Sequence, residues 1–370
     1  MSKVRILSID GGGIRGVIPA TVLKYVEEQL IIKSGNPNAR LADYFDFFAG
    51  TSTGGILTCF YLTPGEGNGQ PNFKFKAEKA LNFYVNDGYS IFNASKNSTI
   101  RWTLTGVKYN PKKLESLLKS VFQDSKLSEL GRPCLVTTYD MEKADTMFFN
   151  STEANANEWD MHVRDVARST SAAPTYFPPA MVDNIVNKKE KMVNLDGGVF
   201  ANNPAMCAYA ECRESEKEKL NNKVCNGAGD MLILSVGTGA GEIDLNGYKK
   251  SNIWSLLKWA KTAPSIMMDG AADAVAFQMQ QIFHTLEPIN QKNFLRVDVP
   301  KADRKGYEAD MADASPENIA NLKIAANKAL QAALVPNNNS MGLDAFIDEL
   351  LKPENQTAEM QEVALDSALN

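Results

Sequence analysis

The chain has 370 residues, 44% of them hydrophobic, and a formal net charge of −5. That is enough apolar material for a sizeable core, in one large α/β domain or two ordinary ones. A mildly acidic chain without a basic block excludes nucleic acid as an expected partner. Five cysteines, Cys59, Cys134, Cys207, Cys212 and Cys225, form no C-x-x-C pair and read as reduced, buried thiols. No apolar stretch is long enough to span a membrane, and the N-terminus runs into a strand rather than a signal peptide, so a cytoplasmic location is expected.

Val4–Ile9 is a β-branched run with the look of a buried strand, and it ends in Asp10-Gly11-Gly12-Gly13-Ile14-Arg15-Gly16. A helix is predicted over 17–32, with Val22, Leu23, Val26 and Leu30 as its inner stripe. A second strand leads through Phe47 and Phe48 to Gly50. Residues 64–72, rich in Gly, Pro and Asn, read as a loop. Helices follow over 76–89 and 111–122, then a strand over 134–139 with a partner at 146–149. A helix at 164–171 is stopped by the prolines of Ser171-Ala-Ala-Pro-Thr-Tyr-Phe-Pro178. Met192 to Leu195 is a short strand closing at Asp196-Gly197-Gly198. A helix over 203–218 and a strand over 231–236 come next. Further helices are predicted at 252–260 and 265–283, a strand at 294–297, and helices at 316–333 and 343–351; the polar tail from Pro353 reads as loose. Strands alternating with helices indicate a mostly parallel sheet covered on both faces. The expected units are a main domain, 1–335, and a helical tail, 336–370.

Between the second strand and the apolar run Ile56 to Leu62, residues Gly50, Ser52 and Gly54 spell G-x-S-x-G. A serine at a tight strand-to-helix turn is forced into a strained backbone and stands clear of the sheet, at a helix N-terminus whose dipole favours developing negative charge. The bland alternative is a glycine-rich surface turn. Gly11, Gly13 and Gly16 also satisfy the dinucleotide fingerprint G-x-G-x-x-G, but the second strand carries the serine turn where that fold needs an acidic residue. The same glycines can expose N–H groups at a helix N-terminus, and beside Ser52 these would receive an oxyanion. Arg15 adds positive charge there or braces the loop through an ion pair.

A serine needs a base. There are two histidines, His162 and His284. His162 comes too early for the order Ser, Asp, His if Asp196 is the acid; His284 comes late enough, though a lone histidine at a helix end is more often structural. Asp196 ends an apolar strand before two glycines, and burial would raise its pKa towards that of a useful base. Its alternative is an ordinary Asp-Gly-Gly turn.

Asp10 to Gly16, Gly50-Thr-Ser-Thr-Gly-Gly55 and Asp196-Gly-Gly198, in that order, resemble the patatin-like phospholipases. So do Ser171 to Pro178, Gly197 to Pro204, Ser235-Val-Gly-Thr-Gly239 and the region closing at Asn293-Phe-Leu-Arg296. The resemblance implies a three-layer α/β/α sandwich and a Ser-Asp dyad acyl hydrolase without a catalytic histidine. It makes Ser52 the nucleophile, Asp196 the base, and Gly11, Gly12 and Gly13, with Arg15, the oxyanion loop, while Gly16, Gly50, Gly54, Gly197 and Gly198 complete the motifs. Expected substrates are phospholipids, galactolipids, acylglycerols and small esters. No metal or cofactor is expected.

A lipid substrate implies transient contact with a membrane or micelle. Trp254, Leu256, Leu257 and Trp259, followed by Ile266, Met267 and Met268, could line an acyl pocket, dock on lipid, or simply pack in the core. Two other readings stay open: an esterase using His284 in a triad, and a storage or interaction protein with vestigial activity.

Overall fold

A computed structural model describes residues 2–65, 72–92, 106–154, 159–187, 190–216, 220, 222–241, 256–308, 310–338 and 340–353. Its centre is a mixed sheet of eight strands. They are β1 (Val4–Ile9), β2 (Phe47–Gly50), β3 (Cys134–Asp140), β4 (Asp145–Asn150), β5 (Ala180–Asp183), β6 (Lys191–Asp196), β7 (Met231–Val236) and β8 (Phe294–Val297). The order is β5-β6-β3-β2-β1-β7-β8, with β4 also paired to β3. β3, β2, β1, β7 and β8 run parallel, whereas β4 and β6 are antiparallel to β3. Every residue of β1 and β7 is buried, as strands covered on both faces require.

The helices are α1 (Val17–Ser34), α2 (Leu41–Tyr44), α3 (Thr53–Leu62), α4 (Ala77–Asn82), α5 (Gly88–Phe92), α6 (Lys112–Phe122), α7 (Val163–Thr170), α8 (Ala205–Glu214), α9 (Leu256–His284), α10 (Pro316–Leu334) and α11 (Leu343–Leu351). The strand pleat sends alternate residues to opposite faces. Leu7, Ile9, Phe48, Leu234, Val236 and Leu295 join α1, α3, α10 and α11 in the larger core. Val4, Ile6, Phe47, Ile233 and Phe294 join α8 and α9 in the smaller one. This is the three-layer α/β/α sandwich expected.

One junction positions the site. β4 occupies one edge of β3 from Leu135 to Asp140. The other edge is shared: β2 pairs with it up to Gly50 opposite Val136, and β6 takes over with Asp196 opposite Thr138. The two strands therefore abut end to end, carboxyl end facing carboxyl end. What leaves β2 meets what leaves β6.

Several predicted boundaries move. The helices expected at 252–260 and 265–283 are one helix, α9, which continues through Pro264. Proline costs a backbone bond and crowds the preceding turn, but Met268, Ala272, Met279 and Phe283 bury the helix beyond it. Residues 252–255, and with them Trp254, lie outside the described residues, as do the side chains of Leu256 and Leu257. The helix expected at 76–89 is α4, a π turn over Phe83–Asp87, and α5. The helix expected at 203–218 is the shorter α8, since Asn203 and Pro204 sit in the turn before it, and 217–218 lie outside the described residues. β5 was not foreseen; its pattern alternates buried and exposed residues as an edge strand does. The tail from 354 onward also lies outside the described residues.

Candidate active site

Ser52 sits between β2 and α3 with φ 54 and ψ −120, a backbone conformation unfavourable for a residue with a Cβ. The turn is tight enough that a Cβ on Gly54 would stand 2.0 Å from the Ile9 carbonyl oxygen, and one on Gly50 would stand 2.4 Å from the Gly54 carbonyl oxygen. Both glycines of G-x-S-x-G are thus required by space. The Ser52 N–H donates to Thr170 Oγ1 at 2.8 Å, and Thr51 Oγ1 donates to the Ala201 carbonyl at 2.6 Å.

The Ser52 hydroxyl donates to Asp196 Oδ2 at 2.6 Å. Asp196 Oδ1 accepts the Gly198 N–H at 2.7 Å. Both residues are buried, Ser52 with 5% of its surface exposed and Asp196 with 1%. Burial pushes the Asp196 carboxyl up from 3.8 to about 7, against the opposite pull of its hydrogen bonds from Ser52 and Gly198. Glycine is required at 197, where a Cβ would stand 2.0 Å from Thr137 Oγ1 and 2.5 Å from the Thr137 backbone carbon, while a Cβ at 198 would press on the Met268 methyl at 2.3 Å.

The glycine loop leaves β1 beside Ser52. Its N–H groups do not all remain available. Gly11 donates to the Asn202 carbonyl at 3.0 Å, and Ile14 donates to the Met311 carbonyl at 2.8 Å. Among the described residues, no partner stands against the N–H of Gly12 or Gly13. Gly11, expected as a donor to an oxyanion, is thus an anchor of the loop. Gly13 takes φ +60, and Gly16 lies against Thr53. Asp10 is held by Arg296, Oδ2 to Nη2 at 2.6 Å, although burial lifts its carboxyl to about 6.

Arg15 is fully buried and pairs with Asp269 of α9, Nη2 to Oδ1 at 2.9 Å. Of its two expected roles the structure displays the brace, which ties the glycine loop to the helix above it. Sequence reasoning had no signal for Asp269, one carboxylate on a long helix. Neither histidine stands near the serine. His284 pairs with Gln280 at 2.9 Å, and His162 Nδ1 faces the Asp124 carbonyl.

An apolar cleft opens at Ser52 and Asp196. Ile56, Phe83, Tyr84, Ile91, Phe92, Leu114, Phe177 and Met268 line it, and among the described residues Asp196 is the one acidic or basic residue in its wall. Met268, expected either in an acyl pocket or in the core, lines this cleft, while Ile266 and Met267 are exposed and Trp259 is half exposed. The π turn brings Phe83 and Tyr84 to the cleft, and the Tyr84 hydroxyl donates to the Thr53 carbonyl at 3.1 Å. No cluster of His, Cys, Asp and Glu suited to a metal occurs among the described residues.

A serine hydroxyl held by an elbow against a desolvated carboxylate, at the head of an apolar cleft, suits acyl transfer to serine. Comparison with known proteins narrows that class. The model of the patatin-like phospholipase family matches residues 7–209. "Patatin-like protein 2" of Oryza sativa subsp. indica is 35% identical over 342 residues, covering 87% of this chain and 82% of the relative. "Patatin-17" of Solanum cardiophyllum is 35% identical over 331 residues, covering 85% and 81%. "Patatin-like protein 4" of Arabidopsis thaliana is 30% identical over 379 residues, covering 98% and 91%. The chain belongs to the patatin-like phospholipase family, and its general activity is therefore lipid acyl hydrolysis.

Proposed function

We propose that the protein hydrolyses fatty-acyl esters of phospholipids, galactolipids or acylglycerols through a Ser52–Asp196 dyad. Ser52 Oγ attacks the acyl carbonyl carbon while Asp196 takes its proton. The oxyanion is received by the N–H groups of Gly12 and Gly13. The ester C–O bond breaks and the leaving alcohol takes the proton from Asp196. Water then attacks the acyl-serine, giving its proton to Asp196. The fatty acid departs as that proton returns to Ser52.

The observation that carries this reading is the 2.6 Å hydrogen bond from Ser52 to a buried Asp196 with no histidine beside it. A carboxyl near pH 7 is matched to accepting and returning a proton under neutral conditions. The acyl chain lies in the apolar cleft, and the exposed Ile266 and Met267, next to Met268 in the cleft wall, touch the lipid surface transiently. The test is hydrolysis of a short-chain p-nitrophenyl ester. Ser52→Ala and Asp196→Ala are expected to remove nearly all activity while folded, and His284→Ala to keep it. A folded but inactive His284→Ala would refute the dyad.

A further inference from the structure

Thr238 and Asn202 touch neither Ser52 nor Asp196 by any hydrogen bond, yet both converge on one carbonyl beside the serine. Thr238 Oγ1 donates to the Gly11 carbonyl at 2.7 Å. Asn202 Nδ2 donates to the same oxygen at 3.3 Å. The Asn202 backbone carbonyl meanwhile accepts the Gly11 N–H. Asn202 is 1% exposed and Thr238 is 4% exposed. The other amide atom of Asn202, Oδ1, is buried with no hydrogen-bond partner among the described residues. Among the described residues, the Asn202 side chain hydrogen-bonds only to the Gly11 carbonyl.

The Gly11 carbonyl and the Gly12 N–H are two ends of the same planar peptide. Fixing the carbonyl in direction fixes the N–H in direction. Donors placed on the carbonyl also draw charge through the peptide and strengthen the N–H as a donor, by about 10–30% per bond. The Thr238 side chain fills the space a Cβ on Gly12 would take, with Oγ1 at 2.3 Å from that position, so the plane cannot rotate towards it. The next free N–H, that of Gly13, is bounded on its far side by the Ile14 bond to Met311.

We infer that Thr238 and Asn202 are positioning residues that aim and polarise the Gly12 N–H towards the developing oxyanion. The inference rests on the acyl-transfer reading of Ser52. It assigns the two residues to the transition state rather than to substrate binding.

The test is steady-state hydrolysis of p-nitrophenyl butyrate by wild type, Thr238→Val, Thr238→Ser, Asn202→Ala and Ser52→Ala, with thermal melts of each. A complete oxyanion donor is worth a hundred- to a thousandfold, and weakening one is expected to lower kcat in Thr238→Val by about ten- to thirtyfold with KM within about twofold. Thr238→Ser, which keeps the hydroxyl, recovers most of the rate. Asn202→Ala loses less than Thr238→Val, since its bond is longer and its backbone anchor remains. The pH at which activity rises does not move in any of them, because Asp196 is untouched. If Thr238→Val melts far below wild type, Asn202→Ala and the valine–serine contrast at a temperature where all are folded decide the matter. Full kcat in folded Thr238→Val, with Ser52→Ala inactive, overturns the clamp and leaves the dyad standing. Wild-type rates in Ser52→Ala overturn both.

Discussion

Replacing Asp196 by asparagine removes a charge that the fold resists burying. Burial holds this carboxyl at about 7, against 3.8 in an exposed aspartate. Since a tenfold change in proton affinity is worth about 1.4 kcal/mol, the ionised form costs the folded chain about 4 kcal/mol above pH 7. The sign follows from the two states. The unfolded chain gives up the proton near 3.8 and the folded chain near 7, so stability is full below pH 3.8 and falls as pH rises to 7. Asparagine has the same shape, no charge to desolvate, an oxygen to accept the Gly198 N–H and an amide to meet Ser52. Asp196→Asn should therefore be inactive and also more stable. The expected gain in urea unfolding is about 3–4 kcal/mol at pH 8, shrinking to about 1 kcal/mol at pH 4.5. Wild-type hydrolysis should rise through pH 7 and reach about a tenth of its plateau at pH 6. Equal or lower stability of the asparagine variant at pH 8 would refute the reasoning, because Asp196 would then be ionised in the fold at no cost.

Other expectations follow from the surroundings of Ser52 and Asp196. Leu114→Trp narrows the apolar cleft, so kcat/KM for a sixteen-carbon p-nitrophenyl ester should fall at least about tenfold while the butyrate ester changes less than about twofold; equal losses would place the acyl chain elsewhere. Asp269→Ala leaves Arg15 buried without its partner and should destabilise the fold by about 3 kcal/mol in chemical unfolding; an unchanged midpoint would mean that Arg15 re-pairs. Thr170→Val strands the Ser52 N–H and should cost about 1–3 kcal/mol, with a matching fall in the melting temperature. Wild-type melting would show that another group satisfies that N–H.

The centre of the sheet was legible because β1, β2 and β7 are mainly apolar runs that lead into glycine turns, whereas the edge strand β5 was not. Val4–Ile9 and Met231–Val236 could not face water on either side. Ser52 and the glycines around it were legible for a steric reason, since no other residue fits where the Gly54 backbone crosses Ile9. Asp196 was legible only in the company of the other motifs. Apart from Met268, the cleft wall was not legible, because Phe83, Phe92 and Leu114 come from separate stretches, each of which reads as ordinary core packing until the fold gathers them. The continuity of α9 was hidden by Pro264, whose local cost is outweighed by burial of the helix beyond it at Met268, Ala272, Met279 and Phe283. The fate of the Gly11 N–H was hidden too, since glycine spacing marks where donors are exposed and not which of them the fold consumes.

The shared edge of β3 makes that strand a gauge. Ser52 and Asp196 are 144 residues apart in the chain, but each is set by its own strand's register on β3, with Gly50 at Val136 and Asp196 at Thr138. Their separation is thus measured along two residues of one strand and owes nothing to the length of chain between them. Insertions in the connection from β4 to β5 can be absorbed without disturbing the Ser52–Asp196 pair. A slip of β6 by a single residue cannot, because it would turn the carboxylate to the opposite face of the sheet.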